Sequence, residues 1–140
     1  MRKSRRRDQG FSLMELLVSL VILALIVGLV APQVLGYLSR AKSDTASLQI
    51  KNMQTALSLY LVDVQSYPTA SEGLEALVKA PPGVAGWRKP YLDVDGGVVP
   101  DDPWGHPYHY EPSTTGDKPR IYSLGSDNAP GGEGEAADIG

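Results

Sequence analysis

From Phe11 to Ser39 the chain is apolar almost without interruption, and Leu16–Val30 is nearly all aliphatic. A bilayer core roughly 30 Å thick needs about 20 such residues in a helix, so this run is long enough to span. It exceeds the apolar region of an ordinary secretory signal, typically about 7–15 residues, and no small-residue cleavage site follows it suitably. Past Arg40 the pattern changes. Ile50, Met53, Leu57, Tyr60, Leu61 and Val64 recur at steps of three and four, the spacing of one apolar helical stripe. Lys42, Asp44, Lys51 and Asp63 fall between these positions and are expected to face water. Only Pro32, and to a lesser degree Gly36, interrupts the pattern, and Pro32 is expected to kink or loosen the helix. The reading is one helix of about 55 residues, about 80 Å long, apolar all round in its first half and amphipathic in its second. It should end at Ser66-Tyr67-Pro68, because the residue before proline disfavours helical geometry.

A short second helix is expected after Ser71, a plausible N-cap, with Leu74, Leu77 and Val78 on its apolar face and Pro81-Pro82-Gly83 at its end. The chain then becomes rich in Pro, Gly and aromatic residues. Short strands are predicted at His106–Glu111 and Arg120–Ser123, where apolar and polar side chains roughly alternate. The tail from Gly125 to Gly140 is rich in glycine and acid and shows no packing pattern. The predicted fold is α+β: a long N-terminal helix packed on a small antiparallel sheet, with a C-terminal loop. Four segments follow: a basic head at 1–10, an apolar helix half at 11–39, an amphipathic half at 40–66, and a small globular region at 67–140.

Charge fixes the orientation. The net charge of −3 hides an asymmetry: Arg2, Lys3, Arg5, Arg6 and Arg7 crowd the head, and the chain beyond Gly10 carries a net −7. Basic residues directly before an apolar span hold that end in the cytoplasm and place the remainder outside. An acidic remainder argues against nucleic acid as a partner. A small exported domain commonly relies on disulfides, yet there is no cysteine, so another device is expected.

Within the span, Glu15 is the single side chain charged at neutral pH. A carboxylate there costs roughly 2.5–3.5 kcal/mol at a helix centre and less near an end, so it is expected to have a function and a partner. Gly10 offers an accessible backbone to a protease. Cutting after it would free an α-amine on Phe11, which could neutralise Glu15 of a neighbouring subunit. A plain signal anchor, with Gly10 and Glu15 incidental, is the simpler alternative. The run Gly10-Phe11-Ser12-Leu13-Met14-Glu15 behind a basic head resembles the class III signal of type IV pilins and type II secretion pseudopilins. The resemblance implies that a prepilin peptidase cuts between Gly10 and Phe11, that Phe11 is then N-methylated, that Glu15 serves docking, and that Pro32 is the helix's kink point.

Further motifs narrow the family. Tyr67-Pro68-Thr69, Glu72-Gly73-Leu74, Trp87, Pro90-Tyr91-Leu92, Asp102-Pro103-Trp104-Gly105, Pro107-Tyr108 and Ser123-Leu124-Gly125-Ser126-Asp127 occur in this order. Together they resemble the major pseudopilin of the type II secretion system across essentially the whole chain. Trp87, Tyr91, Trp104 and Tyr108 read as packing residues, and the prolines and glycines as turn formers. Flexible glycines among carboxylates in the tail suit either a solvated tail or a hard cation. The resemblance implies structural calcium, with Asp127 and Asp138 as side-chain ligands, the backbone carbonyls of Leu124 and Ser126 beside them, and Glu133 and Glu135 as weaker candidates. His106 and His109 lie near Asp101 and Asp102, but Pro107 separates them and no thiolate exists, so they read as loop or strand-surface residues rather than zinc ligands.

No nucleophile–base pair or phosphate loop is present in the sequence, and the expected function is structural. The resemblance implies a homopolymer, the periplasmic pseudopilus, which helps export folded proteins across the outer membrane. Its implied partners are the prepilin peptidase, minor pseudopilins, the inner-membrane assembly platform and the inner membrane itself. Two alternatives stand beside it: a type IV pilus or minor pilin subunit, and a membrane-anchored periplasmic enzyme or binding protein.

Overall fold

The computed structural model describes residues 11–113 and 116–140. By internal contacts the chain divides into two units between Tyr37 and Leu38. Helix α1, Leu13–Val64, belongs to both and continues unbroken through Pro32. Its start is set by Ser12, whose Oγ accepts the Glu15 N–H at 3.1 Å as an N-cap. Its end comes two residues before the proline-based expectation. Gln65 takes a left-handed conformation (φ 65°), which stops the helix ahead of Ser66.

In the first unit every side chain from Phe11 to Tyr37 is exposed. Leu, Ile and Val dominate that surface.

The second unit is built on the amphipathic stripe. Ile50, Met53, Leu57 and Tyr60 are buried, joined by Ala46 and Ala56. Asp63 departs from the sequence reading: it is half-buried, accepting from the Tyr91 hydroxyl at 3.1 Å and facing Arg88 Nε at 3.6 Å. The predicted second helix is a 3-10 turn, Gly73–Leu77, and buries Leu74, Ala76, Leu77 and Val78 against the stripe. Thr69, not Ser71, organises its start. Thr69 N–H and Oγ1 both donate to Glu72 Oε2, at 2.7 and 2.9 Å, and Glu72 N–H donates back to Thr69 Oγ1 at 3.3 Å. This is the reciprocal logic of a capping box, displaced two residues from where the sequence suggested it.

Strands β1 (His109–Glu111) and β2 (Arg120–Tyr122) pair antiparallel, with Tyr110 opposite Ile121. Each is shorter than predicted. Pro107 has no N–H to give a ladder, and the His106 N–H is already committed to Asp102. Ser123, expected to close β2, instead pairs with Ile139: Ser123 N–H donates to Ile139 O at 2.8 Å and Ile139 N–H to Ser123 O at 2.9 Å. The patternless tail is therefore a folded loop, with 3-10 turns at Gly125–Asp127 and Gly134–Ala136 packed together. Its regularity comes from backbone pairing and close approach, which leave no side-chain period in the sequence.

With no disulfide available, aromatic side chains tie the irregular region to α1 and to the segment that follows it. Tyr108 OH donates to Gln49 Oε1 at 2.5 Å, Tyr110 OH to Pro68 O at 2.8 Å, and Trp87 Nε1 to Ala76 O at 2.8 Å. Burial raises the Tyr108 hydroxyl pKa above its usual value, with the Asp102 charge adding to it, and burial pushes Tyr110 up to about 12. Gly86 packs closely against the end of α1. At φ 90° a Cβ there would stand 2.5 Å from Asp63 O, so a side chain is excluded.

Candidate assembly helix and metal-binding loop

Two places concentrate the candidate residues. The first is the start of α1. Glu15 sits in the opening turn, where the partial positive charge of the helix N-terminus favours a carboxylate. Its backbone is engaged on both sides: its N–H is capped by Ser12, and its carbonyl accepts from Ser19 Oγ at 2.8 Å. Its carboxylate has no hydrogen-bond or ion-pair partner among the described residues. Around it Leu13, Met14, Leu16, Leu17 and Val18 are all exposed. The sequence reading treated Ser12 as part of a recognition motif; the S-x-x-E spacing already marked it as a helix cap. Gly10, and with it the expected cleavage point, lies outside the described residues. Phe11 is exposed, two residues before α1.

The second place is the C-terminal loop. Leu124, Ser126 and Asp127 lie in or beside the first 3-10 turn, and Asp138 adjoins Ile139, which is paired to Ser123. The loop thus gathers the four candidate ligand residues into one folded segment. Glu133 precedes the second turn and Glu135 lies within it. Asp127 Oδ1 accepts the Ala129 N–H at 3.1 Å, and Asp138 Oδ2 accepts the Gly131 N–H at 3.0 Å. Each carboxylate keeps one oxygen with no protein donor among the described residues, and both side chains are exposed. Gly125 lets the two turns meet: at φ 71° its Cβ would stand 2.7 Å from Glu135 O.

The donor set is all oxygen, which fits a hard cation such as calcium. Among the described residues no three His, Cys, Asp or Glu side chains converge on one point, so a cation here depends on carbonyls and water as well.

Asp102 was missed as an organising residue. It is 5% exposed, and its Oδ2 accepts from Ser123 Oγ at 2.5 Å. Its Oδ1 accepts the N–H groups of Trp104 and His106, at 3.0 and 2.9 Å. Ser123 Oγ in turn accepts the Gly125 N–H at 3.0 Å. His106 Nδ1 lies 3.1 Å from Gly125 O and 4.0 Å from Asp102 Oδ1. His106 is therefore a half-buried loop residue that ties the Asp102 turn to the C-terminal loop. His109 stacks on Tyr122 with ring centroids 5.1 Å apart. The motif Asp-Pro-Trp-Gly held the clue, since Asp before Pro favours a turn closed by its own carboxylate.

An exposed apolar helix with one carboxylate in its first turn, joined to a small α+β unit closed by a C-terminal loop, defines a type IV pilin-like subunit. Residues 33–140 match the family described as type II secretion system protein G, and residues 5–31 match the prokaryotic N-terminal methylation motif. The chain is 42% identical over 140 residues to the type II secretion system core protein G of Pseudomonas aeruginosa, covering 97% of this chain and 96% of that one. It is 39% identical over 143 residues to the core protein G of Vibrio cholerae, covering 99% and 94%. The crystal structure of the major pseudopilin from the type 2 secretion system of enterohaemorrhagic Escherichia coli aligns with TM-score 0.59 at 28% identity, over 74% of this chain and 85% of that one. The chain belongs to the type II secretion system protein G family.

Proposed function

We propose that this chain is the major structural subunit of a type II secretion pseudopilus, polymerising with copies of itself to drive folded proteins across the outer membrane. The observation that carries this reading is the helix surface from Phe11 to Tyr37. It is wholly exposed, almost wholly apolar, and carries Glu15 as its one charge. Such a surface is stable in two settings, a lipid bilayer and a bundle of like helices. A subunit that moves from one to the other needs both.

In the membrane the basic head stays cytoplasmic and the residues beyond the span are periplasmic. The prepilin peptidase cuts between Gly10 and Phe11 and methylates Phe11. In the filament the new α-amine of one subunit neutralises Glu15 of a neighbour, which penalises a misaligned subunit by leaving a carboxylate unpaired among aliphatic chains. Pro32 supplies no N–H to the helix ladder and marks where α1 can loosen during the transfer. The inner-membrane assembly platform and minor pseudopilins are the partners of that step. The role is structural and needs no catalytic group.

Calcium is the proposed structural ion of the C-terminal loop. Asp127 and Asp138 would hold it with the carbonyls of Leu124 and Ser126, and it would bridge charges that otherwise repel. A metal that binds only the folded loop adds its binding free energy to folding.

Mass spectrometry of the subunit from its native membrane tests the processing step. The expected product begins at methylated Phe11, and an intact basic head on assembled subunits would overturn it. Deletion of the chain is expected to abolish secretion while leaving surface pili intact. Loss of pili with normal secretion would favour the pilin alternative instead.

A further inference from the structure

Two clefts flank the buried stripe of α1, and they carry opposite charge. On one side the segment Leu92–Asp101 stands against the helix over a cleft of about 580 Å³. Asp93, Asp95 and Asp101 line it, all exposed, and the helix contributes the uncharged side chains of Gln49, Asn52 and Met53. No cation lines this cleft among the described residues. On the other side a groove of about 390 Å³ is lined by Lys51, Gln54, Thr55, Ser58 and Lys118. It carries two cations and no carboxylate. With 3.6 residues per turn, Gln49 and Asn52 fall on one flank of the stripe through Met53 and Tyr60, while Lys51, Gln54 and Ser58 fall on the other. Further along the lysine flank Arg40 and Asp44 add one charge of each sign. Asp117, next to Lys118 in sequence, already has a partner in the fold.

Such a surface fits a particular symmetry. A two-fold contact centred on either cleft would set acid against acid or lysine against lysine, since it pairs that patch with its own copy. A head-to-tail contact sets acid against lysine. Repeated without closing, it generates an open helical filament. The complementary charges also favour one register and oppose the reverse one.

We propose that the Asp93/Asp95/Asp101 cleft of one subunit receives the Lys51/Lys118 face of the next, forming the lateral contact between globular units along the filament. This rests on the reading of the chain as a polymerising subunit and names the surface that sets the polarity of polymerisation. The apolar helices supply most of the cohesion. The charged faces choose which neighbour and which register.

The absence of native cysteine allows a direct test in the full-length subunit, expressed in cells that assemble filaments. A variant carrying both Asp95→Cys and Lys118→Cys is treated with a short bifunctional maleimide. The expected result is a ladder of dimers, trimers and longer species, while either single variant stays monomeric. Dimers from a single variant would show like meeting like and overturn the proposal. A charge exchange supplies the second arm. Asp95→Lys with Asp101→Lys, or Lys51→Asp with Lys118→Asp, should each lower the amount of filament about tenfold or more, and the combined variant should restore it. Filament yields unchanged by either reversal, or no recovery in the combined variant while its subunits remain folded by near-UV circular dichroism, would overturn the contact. Wild-type filaments distinguish the two levels. If they form and the arms fail, only this contact is wrong. If wild type never polymerises, the underlying reading fails with it.

Discussion

Ser123 Oγ donates to Asp102 Oδ2 across 2.5 Å, inside the fold and 21 residues away in sequence. This bond joins the turn before β1 to the end of β2, at the point where the C-terminal loop begins. Asp102 also caps the N–H groups of Trp104 and His106. Replacing it by alanine removes three bonds at once and leaves buried donors unsatisfied. Asp102→Ala is expected to destabilise the globular unit by about 3 kcal/mol or more. Urea unfolding of the detergent-solubilised subunit measures this, and a change within ~0.5 kcal/mol would refute the central role given to Asp102.

Tyr110 gives the fold an alkaline limit. Burial pushes its pKa up to about 12 from the ordinary 10.0, with Tyr60, Tyr67 and Glu72 adding to it. The folded state therefore keeps the proton that the unfolded state releases. The associated stability is fully present below pH 10 and is lost as pH rises towards 12. Tyr110→Phe should cost about 1 kcal/mol at neutral pH, through the lost bond to Pro68 O. It should also flatten the decline between pH 10 and 12, as followed by denaturant titrations at a series of pH values. An unchanged alkaline slope would count against this account.

Glu15 is expected to matter for assembly and little for the isolated helix. Its carboxylate has no partner among the described residues, so Glu15→Ala should leave processing largely intact while filaments disappear. Electron microscopy of filaments released from the periplasm, with immunoblotting of the processed subunit, separates the two effects. Normal filaments from this variant would remove the docking role.

For the C-terminal loop, Asp127→Ala should lower the melting temperature in calcium and have a much smaller effect in chelator. The wild-type protein should melt higher in calcium than in chelator. Identical melting of both proteins in both conditions would dismiss the ion. Asp138→Ala should behave in the same way, because both carboxylates sit on one folded loop.

The long-range pattern was legible where side chains repeat with a period. Ile50, Met53, Leu57 and Tyr60 were readable as a buried stripe because a helix lays every third or fourth residue on one face. Leu74, Leu77 and Val78 were readable for the same reason, although the element proved to be a 3-10 turn. Ser123–Ile139 was not legible. Its pairing is made by backbone groups, and residues 124–138 between them have no period to betray it. Thr69 and Glu72 were overlooked because Ser71 lay nearer the apolar run. Asp102 entered the sequence reading only within the Asp102-Pro103-Trp104-Gly105 motif and as a neighbour of His106 and His109, and nothing in sequence tells that its second oxygen meets a serine 21 residues later. Asp127 and Asp138 drew attention through composition and family likeness; the folded loop gathers them, without itself identifying an ion.

The placement of Trp87 and Trp104 carries a practical consequence. They are the only two tryptophans in the chain, and both belong to the unit Leu38–Gly140. Trp87 is pinned to Ala76 and meets Tyr91 edge-on, while Trp104 sits in the turn that Asp102 holds. The molecule therefore carries its own optical label, confined to one unit. Tryptophan emission will report the melting of that unit and the closing of its loop, and the apolar helix will pass from lipid to filament unseen by it.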